Sequence, residues 1–417
     1  MNSKISKFKF KWVLFACLFV FCAACDKPND SKDPNDPNNP GNTTEYGTGT
    51  ATDPFRVANV ADLKRVASGQ TGPGGLVWAN DKYYLQIAPI DLSNEGNWKP
   101  ICPNVSFTAP MSEWFRGEYD GNGYTISNLT NLEDNEDVGL FGNVTGTIKN
   151  VRLTKVNFTG AGVAGGGCLV RYLHLLGEID HCSVTDFNIS SVSYLGGLVG
   201  KIDASATVSN CMVTNGTVYS DGGVNVGGVA GKNEGRIENC YTTVNVISGW
   251  SPGGIVGENT GMVQYCYATG DITSEKPGLN TGGYVGGIMG GGNYPSGTIQ
   301  NCVALNKALQ KGFAAGDDIG RITGSTNTIY SGITLLNNYA RPDMTLTADT
   351  KSVTITDIST TSIHGANVSA ADYSGANSGT WWKNTAGFPE ESWDFATNQL
   401  PHLKGFKGLT QNPTVMP

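Results

Sequence analysis

One repeated pattern constrains the fold of this chain more than any other feature. A glycine box, a short polar turn and an apolar strand with a cysteine recur in this order. Clear boxes begin at Gly196, Gly227, Gly253 and Gly286, and the strands after them contain Asn210-Cys211, Asn239-Cys240, Tyr265-Cys266 and Asn301-Cys302. The intervals between these boxes are 31, 26 and 33 residues. A helical repeat would lose its packing through such drift, whereas a β-solenoid keeps its strands stacked because extra residues leave a turn as a loop.

Weaker copies extend the pattern in both directions. They comprise residues 139–142 with 148–151, residues 166–170 with His181-Cys182, and a decayed copy at 319–324 with 337–339. No helical period persists between residues 130 and 340. We therefore predict an all-β fold, a single-stranded right-handed parallel β-helix (β-solenoid) with an N-terminal cap and a C-terminal capping segment. Boxes starting at Gly139, Gly166, Gly196, Gly227, Gly253 and Gly286 should lie in register, each ~4.8 Å from the next.

Five cysteines occupy one position of the repeat. They are Cys182, Cys211, Cys240, Cys266 and Cys302. In a solenoid they would form one inward column, which suits free cysteine because it is small and readily buried. Neighbours that point the same way are poorly oriented for the dihedral angle of a disulfide. The spacing thus predicts a column of reduced thiols, and the lack of any Cys-x-x-Cys pair among the seven cysteines after Cys25 predicts no metal site.

The first residues indicate an export signal. Four lysines precede an apolar run at residues 12–24, which is too short to span a membrane as a stable helix. The run ends in Cys22-Ala23-Ala24-Cys25, which resembles a bacterial lipobox, so Cys25 is the predicted lipid attachment site. Residues 25–46 are rich in Pro, Asn and Asp, which predicts a disordered tether. The alternative is an ordinary signal with an incidental cysteine.

The net charge limits the possible partners. Without the four lysines of residues 1–24, the formal charge of −8 becomes −12. Phosphate neutralisation would not hold so acidic a protein on nucleic acid. The predicted partners are a membrane, reached through the lipid anchor, and a host glycan or protein ligand.

The repeats resemble the GLUG motif, which is named for its Gly-Leu-x-Gly core. Residues 90–101 and 114–129 are similar to the stretches that accompany such repeats, and so is the tail at 392–403. Arg171 departs from the pattern, because the box that begins at Gly166 should end in glycine there. The resemblance implies a β-helix on the bacterial surface, in adhesin-like proteins or in non-catalytic parts of secreted peptidases, and it implies no specific ligand. The acidic residues behind Cys25 resemble the surface-export signals of Bacteroidetes lipoproteins, which implies an outer-membrane location.

The interpretation divides the chain into five parts. They are a lipoprotein signal peptide (1–24), a lipidated tether (25–46), an N-terminal cap with the first coils (47–130), GLUG-type solenoid repeats (131–340) and a last coil with a C-terminal cap (341–417).

A search for catalytic chemistry yields weak candidates. The four histidines, His174, His181, His364 and His402, form no His-Glu-x-x-His motif. Gly316-Asp317-Asp318 with Arg321 faintly resembles a polygalacturonase signature, but paired carboxylates need a fixed separation and the further motifs do not follow in order. The acidic stretch at 134–137 lacks the spaced ligands of a calcium site. We therefore predict no enzyme activity, no catalytic residues, no cofactor and no metal.

Both ends of a solenoid need covering, because open strand edges invite aggregation. Apolar residues at helical spacing between 54 and 68 predict a short amphipathic capping helix. The aromatic residues Trp381, Trp382, Phe388, Trp393 and Phe395 suit either a carbohydrate platform or a buried cap, and we favour the cap.

The function predicted from the sequence is that of a surface-exposed adhesin or binding scaffold with an unknown ligand. A polysaccharide-active β-helix enzyme and a purely structural envelope protein are the alternatives.

Overall fold

The computed structural model describes residues 43–416 except 104–109, 134–137, 160–164, 192, 276–282, 293–295, 313–317 and 325–331. Cys25, the signal segment and most of the predicted tether therefore lie outside the described residues, as does the acidic stretch at 134–137. The last residues of that tether, Thr43–Tyr46, form a single helical turn. Within the described ranges no helix is both long and apolar enough to cross a membrane.

The described chain is a parallel β-solenoid in which successive turns stack their strands, as predicted. The strands that lead into each cysteine turn form the pre-cysteine sheet. In order they are Phe55–Val57, Tyr83–Gln86, Glu118–Asp120, Thr147–Lys149, Glu178–Asp180, Thr207–Ser209, Arg236–Glu238, Met262–Gln264, Thr298–Gln300 and Thr334–Leu336. From Glu118–Asp120 onward the central residue of each strand is buried in the core that runs through the turns, whereas in Phe55–Val57 the two outer residues are buried.

The strands that follow the cysteine turns form the post-cysteine sheet. They are Ile90–Asp91, Thr125–Ser127, Thr130–Asn131, Arg152–Phe158, Ser183–Ser190, Met212–Tyr219, Tyr241–Thr242, Asn245–Ser248, Tyr267–Ala268, Ile272–Ser274, Val303–Ala304, Ala308–Lys311, Tyr339–Ala340, Thr345–Ala348, Lys351–Ser352 and Ala366–Asn367. All of these pair in parallel except Lys351–Ser352, which turns back on Thr345–Ala348.

Two shorter sheets flank the glycine boxes. The box sheet contains Gly166–Gly167, Ser193–Gly196, Val224–Gly227, Pro252–Gly253, Val285–Gly286 and Ile319–Gly320. The post-box sheet contains Phe141–Val144, Val170–Leu173, Val199–Ile202, Ala230–Asn233 and Val256–Asn259.

The predicted register is confirmed for the four clear boxes, in which Gly196 pairs with Gly227, Gly227 with Gly253, and Gly253 with Gly286. For the weaker copies, Val138 bridges to Gly166, so the predicted start at Gly139 lies opposite Gly167, whereas the predicted start at Gly166 is wrong by one. Gly167, not Gly166, pairs with Gly196. Register follows the buried side chains, and Phe141 pairs with Val170, which in turn pairs with Val199.

The residue before each cysteine takes a left-handed backbone conformation. Its φ is 50° at Asn210, 51° at Asn239 and 54° at Tyr265. Asparagine tolerates this region better than most residues, because its short polar side chain bonds locally. The asparagine side chains at this position in the described turns do not bond to one another. Instead the Nδ2 groups of Asn150 and Asn210 donate to aspartates, whereas that of Asn301 donates to a carbonyl.

The five cysteines behind these residues form the predicted inward column. Each is fully buried and free, as is Cys168, whereas Cys102 is half-buried and free. Each column thiol donates to the carbonyl two residues earlier, for example from Cys211 Sγ to Ser209 O at 3.0 Å.

The N-terminal end differs from the predicted helix over 54–68. Phe55–Val57 is the first strand, because it pairs with Tyr84–Gln86 of the next turn. The helix is limited to Val60–Arg65, and Asn59 Oδ1 caps it by accepting from the Asp62 amide at 3.0 Å. Short 3-10 turns follow at Pro73–Gly75 and Met111–Glu113.

The C-terminal segment does two things. Residues 351–367 close the last turn, where the Ile322 amide donates to Ile363 O. Residues 368–416, here called the C-terminal strap, pack along the flank of the post-cysteine sheet. The strap contains the helices Ala370–Tyr373 and Ser378–Asn384 and an antiparallel pair, Trp393–Asp394 with His402–Leu403.

Candidate functional site

The titratable residues that the sequence offers are held in structural contacts. His174 places Nδ1 2.9 Å from Asp203 Oδ2 and Nε2 2.9 Å from Asn143 Oδ1, and its ring stacks on Trp114 with centroids 3.9 Å apart. Hydrogen bonding from His174 and the charge of Lys201 hold the pKa of Asp203 below its ordinary value. This group ties three neighbouring turns together.

His181 also contacts its neighbours in the fold. Its Nδ1 lies 2.6 Å from Asp180 Oδ2. Burial alone would raise the pKa of Asp180, but hydrogen bonds from His181, Asn210 and Ser209 hold it below the ordinary value. The left-handed Gly405 of the strap lies so close to the His181 ring that a Cβ there would come within 2.4 Å of it.

The polygalacturonase-like segment is only partly described, because Gly316 and Asp317 lie outside the described residues. Asp318 pairs with the buried Lys311 at 3.6 Å. Arg321 is fully buried, and its guanidinium donates to the carbonyls of Arg341, His364 and Gly365 and to Asn367 Oδ1. Burial lowers its pKa to about 10. Arg321 therefore stabilises the closure of the last turn.

The remaining histidines lie near the C-terminal end of the chain. Burial lowers the pKa of His364 and of His402. Among the residues that the structure describes, no three His, Cys, Asp or Glu side chains are grouped so that they could hold a metal ion.

The C-terminal aromatic residues are core, as we favoured. Trp382, Phe388 and Trp393 are buried in a cluster that also contains Tyr241 and Tyr267 of the solenoid. Trp393 Nε1 donates to Asn239 Oδ1 at 3.1 Å, and the rings of Tyr241 and Tyr267 stack with centroids 4.9 Å apart. Trp381 and Phe395 pack against this cluster with partial exposure.

A groove of about 410 Å³ lies between the strap and the post-cysteine sheet. One wall is a column of threonines from successive turns, here called the threonine column, Thr185, Thr214, Thr243 and Thr269. Thr185 pairs with Thr214. Thr242 pairs with Val213 on one side and with Ala268 on the other, so the next residue, Thr243, lies between Thr214 and Thr269 when these registers continue. The opposite wall is residues 409–414 and 416 of the strap, and Met212 and Tyr241 form the floor.

The hydroxyls of the threonine column are available to a ligand. Those of Thr185, Thr214 and Thr269 have no hydrogen-bond partner in the described part of the chain, although Thr269 is only 2% exposed. Thr243 Oγ1 accepts from the Asn215 amide at 3.4 Å and can still donate. Among the described residues that line the groove, none is charged.

Sequence reasoning missed this groove. A signal was present, because a threonine stands three residues after each cysteine from Cys182 to Cys266. The strap residues that form the other wall, Leu409 to Met416, lie far along the chain from the last threonine of the column, Thr269.

Other cavities have a different character. One of them, about 760 Å³, lies at the N-terminal end and is lined by the Lys64–Glu95 ion pair, Trp98 and Cys102. It borders Pro103, which precedes the residues 104–109 that the structure does not describe. Burial raises the pKa of Cys102 to about 12.

Comparisons with known proteins agree with this architecture. Residues 191–219, 222–247 and 248–273 match the family model described as the GLUG motif. A stretch of 218 residues, 48% of this chain, is 34% identical to halomucin of Haloquadratum walsbyi and spans 2% of that protein's length.

Among solved structures, a candidate immunoglobulin A1 protease from Bacteroides ovatus is similar, with a TM-score of 0.57 and 21% identity over 86% of this chain and 94% of that chain. At this identity the likeness shows the fold alone. Residues 191–273 thus carry GLUG-motif repeats, and the turns that these repeats form are stacked in a β-solenoid.

Proposed function

We propose that this protein is a lipid-anchored binding scaffold of the adhesin type, displayed at the bacterial outer membrane. The observation that carries the proposal is the groove on the flank of the solenoid, where hydroxyls without internal partners line an open site. The strands under the threonine column are paired on both sides, so this wall of the site is built on rigid elements, while the strap forms the other wall.

Several observations support binding over catalysis. The polar side-chain atoms of His174, Asp203 and Arg321 have structural partners, and Nδ1 of His181 is bonded to Asp180. The likeness to the candidate immunoglobulin A1 protease concerns the fold, so we do not propose peptidase activity for this chain. The anchoring part of the proposal depends on the lipobox-like residues before Cys25.

Anchoring and display are tested in bacterial cells that express the full chain. A clickable fatty-acid analogue should label the wild-type protein and leave Cys25→Ala unlabelled, and protease added to intact cells should remove the wild-type protein. Cells that carry the wild-type protein should also adhere more strongly to a surface coated with host glycan or host protein than cells that lack the protein. Equal labelling of both forms would refute the anchor, and equal adhesion would refute the binding role.

A further inference from the structure

We infer that the groove between the threonine column and the strap binds a neutral polysaccharide chain. This inference rests on the proposed binding function and deepens it, because it assigns the site and the ligand class.

The chemistry of the walls selects the ligand class. Threonine hydroxyls on one side face Thr410, Asn412 and Thr414 of the strap on the other, all three of which are exposed. Hydroxyls and amides both donate and accept hydrogen bonds. A neutral sugar chain presents hydroxyls along its whole length, whereas an anionic or cationic ligand would require compensating charge that the lining residues lack.

Thr269 is the most enclosed residue of the threonine column. It lines the groove, and its hydroxyl has no partner in the described chain. A ligand hydroxyl that reaches the end of the groove would satisfy it.

The geometry favours an extended chain molecule. The threonines come from four successive turns, so their hydroxyls span about 14 Å along the solenoid in steps of ~4.8 Å. A ligand with regularly spaced hydroxyls can contact several of them at once. The groove therefore suits a few consecutive sugar rings better than a single one.

An extended peptide fits less well. Peptides bind β-proteins most readily by adding a strand to a free sheet edge. The strands under this groove are interior strands, because Met212–Tyr219 pairs with Ser183–Ser190 on one side and with Tyr241–Thr242 on the other. The backbone N–H and C=O groups of these strands are therefore already hydrogen-bonded to the neighbouring strands.

Affinity electrophoresis of the full-length protein tests the inference. The gels contain neutral polysaccharides (α-glucan, mixed-linkage β-glucan, mannan or galactan), acidic ones (polygalacturonate or hyaluronate), or gelatin as a protein ligand. We expect at least one neutral polysaccharide to retard the wild-type protein. Because the ligand is uncharged, its dissociation constant in solution should change less than about twofold between low and high salt.

Matched variants locate the site. Thr214→Val with Thr243→Val removes two hydroxyls and keeps β-branched side chains, and we expect binding about tenfold to a hundredfold weaker. Asn412→Ala on the opposite wall should weaken binding severalfold. The control, Thr207→Val with Thr298→Val, removes hydroxyls from the pre-cysteine sheet and should bind like the wild type.

Any one of three other results would overturn the inference. If the groove variants bind a neutral polysaccharide as well as the wild type does, the site is wrong and the binding function survives. If only acidic polysaccharides or gelatin retard the protein, the ligand class is wrong while the binding function again survives. If no polymer retards the wild type, the inference fails, and the cell-adhesion assay decides the proposed function separately.

Discussion

The residue before each inward cysteine bends the chain between two sheets. At Asn210 the bend has a φ of 50°, and the side chain donates from Nδ2 to Asp180 Oδ1 at 2.8 Å in the previous turn. The same position holds histidine at residue 181 and tyrosine at residue 265. The position therefore requires a left-handed backbone but tolerates several side chains. This backbone conformation costs free energy, and the cost is lower for asparagine than for most residues.

Substitutions at Asn210 should separate these two contributions. Asn210→Val places a β-branched residue in the left-handed region, which costs about 1–2 kcal/mol, and removes a hydrogen bond worth roughly 1 kcal/mol. Asn210→Gly loses only the hydrogen bond and should destabilise less. Thermal unfolding followed by circular dichroism measures both, and Asn188→Val on an exposed position of the neighbouring turn serves as the control. Equal unfolding temperatures for the valine and glycine variants would contradict a strained bend.

At the scale of elements, the cysteine column and the strap show what sequence patterns can and cannot predict. The column was predictable because Cys182 to Cys302 recur at one repeat position and a solenoid converts such a period into a stack. The starting residue of the box at Gly166 was not predictable, because residues 166 and 167 are both glycines and the register is set by the buried neighbours. The second wall of the groove was not predictable either. Residues 409–414 carry no repeat and reach Thr214 only through the tertiary path of the strap.

The column should consist of protected thiols. Burial raises the pKa of Cys211 and of Cys266 well above the ordinary value, so these groups stay protonated and unreactive near neutral pH. In the native folded chain, the cysteines after residue 25 should therefore react rapidly with less than one equivalent of an alkylating reagent in total. After denaturation without oxidation, mass spectrometry should find all seven of these cysteines alkylated. Disulfide-linked peptides that join two column residues would show that the column is oxidised.

The strap should detach when its anchor is removed. Trp393 is 1% exposed, its Nε1 bonds to Asn239, and its ring contacts Tyr241 and Tyr267. Trp393→Ala leaves a cavity that costs on the order of 3–5 kcal/mol, and this loss falls on the strap rather than on the paired strands. Limited proteolysis should then cut between 368 and 416 at least tenfold faster, while the solenoid resists.

The matched control for this experiment is Trp381→Ala, because Trp381 packs at the partly exposed edge of the same cluster. Its strap should be cut only slightly faster than that of the wild type. If both variants lose the solenoid together with the strap, the two parts unfold as one unit.

At the scale of the whole molecule, stability is distributed over nearest-neighbour contacts between turns, and the strap adds contacts that cross many turns. Arg152 Nη2 donates to Lys407 O at 2.6 Å near one end of the strap contacts, and Arg341 Nη1 donates to Met416 O at 2.8 Å near the other. Tyr267 Oη donates to Pro401 O between them. The strap thus couples turns that do not touch each other.

Deleting one turn tests whether local stacking and long-range coupling are separable. Removal of residues 227–252 joins Val226 to Gly253, which occupies the register position of Gly227, so the stacking pattern is preserved. We expect the deleted chain to keep its β circular dichroism spectrum, because each turn needs only equivalent neighbours. The flank becomes shorter by about 4.8 Å and loses Asn239 and Tyr241, so the strap can no longer make all its contacts. Proteolysis should therefore release the strap from an otherwise folded solenoid. Loss of the β spectrum would show that this turn is not interchangeable, whereas a fully protected strap would show that it does not depend on the spacing of the turns beneath it.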